Sequence, residues 1–226
     1  GTYGWHSSCI DCVAGKYSEQ TASTTCIKCP AGYYTDQKKQ SSCKPCTAGK
    51  FSKSYVSSPD SNSASCQECP KGTWSSAATA LMTACTGCVA GRYNDQSGQT
   101  SDNACKECPA GRYGTSDSND KLQDCTICSK GTWSEAAGST NPNCEPCPKG
   151  SYNLDDRSNP TKHDQETDCT TCPVNTFNNL EGGYHAYWCT ACPTGKFTAD
   201  SNDFTKHDDE SDCTGCDAGE IRDTST

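Results

Sequence analysis

Cys105-Lys106-Glu107-Cys108-Pro109-Ala110-Gly111-Arg112-Tyr113 holds the pattern that organises this chain. It is a C-x-x-C pair, a proline, a glycine three residues past the second cysteine and an aromatic residue five past it. Working outward in both directions, the pair recurs as Cys9/Cys12, Cys26/Cys29, Cys43/Cys46, Cys66/Cys69, Cys85/Cys88, Cys125/Cys128, Cys144/Cys147, Cys169/Cys172, Cys189/Cys192 and Cys213/Cys216. All 22 cysteines fall in these pairs, and successive pairs lie 17 to 25 residues apart. The glycine and aromatic recur as Gly15 and Tyr17, Gly32 and Tyr34, Gly49 and Phe51, Gly72 and Trp74, Gly91 and Tyr93, Gly131 and Trp133, Gly150 and Tyr152, and Gly195 and Phe197. Asn175 stands in the glycine position before Phe177, and Ile221 in the aromatic position after Gly219. Asparagine is the best substitute for glycine in left-handed backbone, so this position reads as a turn that needs positive φ.

A repeat of this length cannot bury its own core, and tandem repetition is the usual remedy. The composition agrees. Only 31% of the 226 residues are hydrophobic, a class that already includes the 22 cysteines. Without covalent staples so polar a chain reads as disordered. The expected fold class is therefore small disulfide-rich repeats, an elongated rod of short β-ribbons and turns with little helix and no large core. Residues 1–226 read as one tandem array of about eleven repeats. The segment 1–8 looks like a partial repeat carrying Gly1-Thr2-Tyr3, and 213–226 like an open one. The longest polar stretches, 52–65, 153–168 and 198–212, read as surface excursions.

Three cysteine pairings fit the spacing. Each C-x-x-C could close on itself, as in redox sites. Two neighbouring pairs could bind zinc, although eleven pairs leave one over. In a ladder, the second cysteine of each pair bonds the first of the next: Cys12–Cys26, Cys29–Cys43, Cys46–Cys66, Cys69–Cys85, Cys88–Cys105, Cys108–Cys125, Cys128–Cys144, Cys147–Cys169, Cys172–Cys189 and Cys192–Cys213. Each rung then closes one G-x-aromatic loop of about 15–20 residues, contributing about 3 kcal/mol in the chain-entropy model. The ladder leaves Cys9 and Cys216 to bond another copy or neighbouring repeats of a longer chain. The aromatics Tyr17, Tyr34, Phe51, Trp74, Tyr93, Tyr113, Trp133, Tyr152, Phe177 and Phe197 would each cover a disulfide as a repeat core.

The signature C-x-x-C-P-x-G-x-[YFW] resembles the ephrin-receptor-like cysteine-rich repeat. It is similar also to tumour-necrosis-factor-receptor modules, to growth-factor-receptor cysteine-rich regions and to tandem arrays in protist surface antigens. That resemblance implies the ladder and an extracellular, rod-like shape. It implies no single function.

Cysteine at this density points to an oxidising, extracellular or cell-surface location. The net charge of −9, with lysines and arginines scattered singly, argues against nucleic acid as partner. No stretch has the length of a membrane span, so direct membrane insertion is not expected. No nucleophile–base pattern appears, and the chain does not read as an enzyme. His163 and His207 lie in matching acidic stretches (TKHDQETDC at 161–169, TKHDDESDC at 205–213). These read as solvated loops, with a metal site as the sharper alternative; no metal or other cofactor is expected. The DSND runs at 117–120 and 200–203 lack the glycine and terminal glutamate of an EF-hand, so calcium is not expected. Serine and threonine are about a quarter of the chain, and runs such as 52–65 could carry O-linked glycans. The one aromatic cluster off the repeat pattern is Tyr184, Tyr187 and Trp188. It is the candidate contact for an extracellular protein ligand, against a bland alternative of packing between repeats. The functional expectation is an extracellular structural protein of a surface layer or filament, assembled head to tail through copies of itself. The alternative is the stalk or ligand-binding region of a receptor ectodomain.

Overall fold

The computed structural model describes residues 8–52, 66–76, 85–198 and 202–217. The element at 1–3, the serine-rich run from 53 to 65 and the residues after 217 lie outside these. Ten disulfides are present, Cys12–Cys26 through Cys192–Cys213, each joining the second cysteine of one pair to the first of the next. They define ten repeats, numbered here from the second cysteine of each pair: repeat 1 opens at Cys12, repeat 5 at Cys88, repeat 8 at Cys147, repeat 9 at Cys172 and repeat 10 at Cys192.

Among the described residues every repeat carries one two-stranded sheet, ten in all. The strands are two residues long and the register is constant. In repeat 1, Lys16–Tyr17 (β1) pairs antiparallel with Ile27–Lys28 (β2), so that Tyr17 faces Ile27. In repeat 6, Tyr113 faces Thr126 in the same way. The aromatic thus opposes the residue after the first cysteine, and both strands of the ribbon are pinned by that repeat's disulfide. The N–H of the cysteine that opens the next repeat then returns to the glycine carbonyl, as Cys128 does to Gly111 at 3.0 Å.

A tight turn feeds the ribbon. Its i→i+3 hydrogen bond runs from the residue after the glycine to the residue after the cysteine, as in Thr73 N–H to Pro70 O at 3.2 Å. A type II turn needs positive φ at its third residue. The nine motif glycines here have φ from 72° to 86°, and Asn175 has φ 66°. Among the described residues the helical segments are single 3-10 turns, such as Ala186–Trp188 and Glu210–Asp212.

Sulfur dominates the interior. Of the sixteen buried apolar residues described, thirteen are cysteines and the others are Phe51, Tyr152 and Phe177. The remaining motif aromatics are half-buried. Contacts divide the chain into two compact units, Gly1–Cys88 with Asn94–Lys106, and Val89–Tyr93 with Glu107–Thr226.

Within each unit the motif glycine has a second task. A Cβ on Gly49 in the first unit would overlap the carbonyl oxygen of Gly98, two repeats on. In the second unit the same holds for Gly91 and Gly138, Gly111 and Pro160, Gly131 and Gly182, and Gly150 and Phe204. Repeats therefore touch second neighbours through a backbone approach that only glycine permits. Gly195 has the same left-handed φ of 86° but nothing within 4 Å of its Cβ position.

The pair separates the two costs. Gly195→Ala should lose only the left-handed backbone term, about 1–2 kcal/mol. Gly150→Ala should lose that and the overlap with Phe204, roughly 1–3 kcal/mol more. Thermal unfolding of the two variants side by side measures the difference.

Candidate functional site

The residue after each motif aromatic looks in the sequence like the first of a polar run. Instead it is the joint between repeats. Thr35, Ser52, Ser75, Asn94, Ser134, Asn153, Asn178 and Thr198 are all buried. In Ser75, Ser134, Asn153 and Asn178 the backbone is consumed in both directions. Asn178 O accepts from Gly150 N–H in the preceding repeat at 2.8 Å, and Asn178 N–H donates to His207 O in the following one at 2.8 Å. Ser75 does the same with Gly49 and Gln99, and Ser134 with Gly111 and His163. Burying these backbone groups is tolerable only because each finds a partner.

A side chain caps each of several joints. The carbonyl after the motif glycine would otherwise be left open, and an amide from the next repeat covers it. Asn94 Nδ2 donates to Thr73 O at 3.1 Å and Asn178 Nδ2 to Ser151 O at 3.2 Å. Repeat 6 has Gly114 in the joint position and recruits Asn119, whose Nδ2 donates to Arg92 O at 3.3 Å. A Cβ on Gly114 would lie 3.2 Å from that Nδ2. Asp117 adds a bond from Ala90 N–H at 2.9 Å. The DSND run at 117–120 is thus bonded to the backbone of repeat 5.

Histidine does the same work in repeats 8 and 10, which corrects the reading of His163 and His207 as solvated loop residues. Both rings are fully buried. His163 Nδ1 lies 2.7 Å from Thr132 O, and His207 Nδ1 lies 2.9 Å from Thr176 O. A carbonyl only accepts, so both Nδ1 atoms carry a proton. His163 Nε2 also meets Asp155 Oδ2 at 3.0 Å. Burial pushes the Asp155 carboxyl up, but hydrogen bonds from Ser158, Asn159 and the His163 ring outweigh it and hold the group below its ordinary range. The acidic residues nearby serve the backbone: Asp168 Oδ2 accepts from the N–H groups of Asp164 and Gln165 at 3.0 and 3.1 Å, and Asp212 Oδ2 from those of Asp208 and Asp209, both at 3.0 Å. No grouping of three or more ligating side chains that could hold a metal occurs among the described residues.

The turn before the first cysteine is acidic in repeat 8 (Glu166–Asp168) and in repeat 10 (Glu210–Asp212), but in repeat 9 it reads Ala186–Trp188. His185 Nδ1 caps it, accepting from Tyr187 N–H at 3.3 Å. Tyr187 stacks on His185 with centroids 4.3 Å apart, and Tyr184 meets Trp188 edge-on at 4.9 Å. Tyr187 is 65% exposed and Tyr184 42%, so neither ring is buried between repeats; Trp188 is half-buried. The hydrogen bond with Tyr187 is the largest cause that raises the Tyr184 hydroxyl above its usual pKa. Two cysteines have no disulfide partner, Cys9 exposed and Cys216 half-buried.

These features define a class: a tandem array of small, disulfide-closed β-hairpin repeats joined by buried polar contacts. More narrowly, residues 1–38 and 15–61 match the family model described as tyrosine-protein kinase ephrin type A/B receptor-like. The later repeats carry the same disulfide-bonded hairpin. No curated protein matches the chain. Ten disulfides and the receptor-like match point to an extracellular region. Among the described residues, no helix is long and apolar enough to cross a membrane.

Two expectations follow from the joints. Asn178→Ala orphans the Ser151 carbonyl and should cost about 1–3 kcal/mol. The Ser75 hydroxyl is buried without a partner, so Ser75→Ala should be neutral or slightly stabilising. Denaturant titration of both variants tests the contrast. Because the Asp155 carboxyl is depressed in the fold, its stabilisation is present above the ordinary carboxylate pKa of about 3.9 and is lost as pH falls through the folded value. The stability gap between the wild type and Asp155→Asn should therefore be widest near neutrality and close in acid, read as melting temperature against pH.

Proposed function

We propose that the chain is a structural part of an extracellular surface layer or filament. Its polar side chains are spent on holding repeat to repeat, and that is the observation which carries the reading. Buried Asn, His and Thr side chains and the backbones of the joint residues tie successive hairpins together, while the disulfides keep each hairpin closed. In this reading the work of the molecule is mechanical and no catalytic step is assigned to it. Cys9 and Cys216, neither paired within the chain, supply a head-to-tail bond: Cys9 of one copy bridges Cys216 of the next. A heterologous contact of that kind does not close on itself and propagates into a filament.

A second reading is favoured by one feature, the exposed aromatic turn of repeat 9. It suits the ligand-binding region or stalk of a receptor ectodomain, in which the array presents a surface to another protein.

Electrophoresis without reductant distinguishes the assembly mode. Covalent multimers that collapse in both Cys9→Ser and Cys216→Ser, with the ten internal bridges still present in a disulfide map, are expected for the filament. A chain that stays monomeric before reduction would remove the covalent head-to-tail bond and leave the receptor-like reading.

A further inference from the structure

We propose that the aromatic turn of repeat 9 is a docking surface for an arginine-bearing segment of a partner protein. The inference holds whether the array serves a surface layer or a receptor.

Three observations on the turn converge. Its two tyrosines are exposed on a frame whose corresponding positions are acidic in both adjoining repeats. Residues 161–169 of repeat 8 carry one lysine against Asp164, Glu166 and Asp168, a formal charge of −2. Residues 205–213 of repeat 10 carry one lysine against Asp208, Asp209, Glu210 and Asp212, a formal charge of −3. The aromatic turn at 184–188 between them has no aspartate, glutamate, lysine or arginine. An apolar, π-rich patch flanked by acid on either side in the chain complements a guanidinium. The cation can lie over a ring face, while flanking positive charges meet the neighbouring turns.

The turn is also held ready. Gly182 N–H donates to Cys147 O at 2.8 Å, and Gly183 O accepts from Asn153 N–H at 2.9 Å, so the approach to the turn is fixed on repeat 8. A Cβ on Gly183 would sit 2.5 Å from Ser151 O, which keeps this anchor close-packed. The far end is fixed by the Cys172–Cys189 disulfide. Rings presented on a pinned segment lose little freedom on binding. Finally, the covered face of Tyr187 is occupied by His185 at 4.3 Å with an interplanar angle of 26°. That stack, with Tyr184 edge-on at 6.3 Å, orients Tyr187, which stays 65% exposed to an incoming cation.

The test uses the full oxidised chain with hexa-arginine as probe and chitohexaose as the competing ligand class, by calorimetric titration at low salt. Hexa-arginine is expected to bind. Tyr184→Ser combined with Tyr187→Ser should weaken it about two- to fivefold, the range of an exposed cation–π contact, without moving the melting temperature. Glu166→Gln with Glu210→Gln should weaken it further and flatten its salt dependence. If the double tyrosine variant fails to fold, Tyr187→Ser alone replaces it, together with the shift of the Tyr187 ring protons on adding hexa-arginine to the wild type. Unchanged affinity in a folded tyrosine variant, or ring protons that do not move, overturns the proposal by reducing binding to diffuse charge. Chitohexaose binding that depends on the tyrosines, with no tyrosine-dependent hexa-arginine binding, overturns it in favour of a glycan surface.

Discussion

The closure of one loop by one sulfur–sulfur bond is the condition on which the rest depends. Loop separations of 14 to 22 residues place each rung where cross-linking removes about 3 kcal/mol of unfolded-chain freedom. A two-residue ribbon could not persist in water alone. Held at its ends by a disulfide, it positions a glycine turn on one side and a small polar residue on the other. These two elements make the joint. The sulfur atoms are also the interior, because the aromatics are shared out one per repeat and most stay partly wet.

Polar joints give the array a kind of order that an apolar interface would not. A greasy surface tolerates sliding, whereas a carbonyl that must find one particular N–H fixes the relative placement of two repeats. Asparagine and histidine perform the same capping task in different repeats, each choosing the carbonyl after the neighbouring repeat's motif glycine, or after Asn175 where asparagine replaces it. The histidine versions come with longer loops, which bring the ring back from farther along the chain. His163 adds a hydrogen bond from its second ring nitrogen to Asp155, at 3.0 Å, so that one joint carries a side-chain link the His207 joint lacks.

The ribbons, the turns and the disulfide-rich character were legible because their signals are local: a cysteine spacing, a glycine three residues later, an asparagine in its place at Asn175. The joints were not. Asn94 and Asn178 cap carbonyls 21 and 27 residues away, His163 and His207 caps 31 residues away, and nothing within a single repeat announces those partners. A signal did exist. All ten repeats place serine, threonine, asparagine or glycine directly after the aromatic, a regularity hidden by the polar run that follows. The histidines misled because an acidic neighbourhood resembles a solvated one, yet Asp168 and Asp212 are turned onto their own backbone. The second role of the motif glycine, as the seat of a carbonyl two repeats on, had no sequence counterpart beyond the positive φ that already accounted for it.

The ladder of rungs has a consequence for a molecule under tension. Pulled from its ends while oxidised, the chain transmits force through each disulfide and each C-x-x-C segment, bypassing the loop between them. The covalent path through one repeat is then three Cα steps, about 11 Å, plus a disulfide span of 5.6 to 6.0 Å between Cα atoms. A reduced repeat of the same length could pay out roughly 70 Å. Even with every hydrogen bond at the joints torn, the oxidised array can lengthen by only a small part of its contour, and the redox state of its surroundings sets how far it stretches before it is taut.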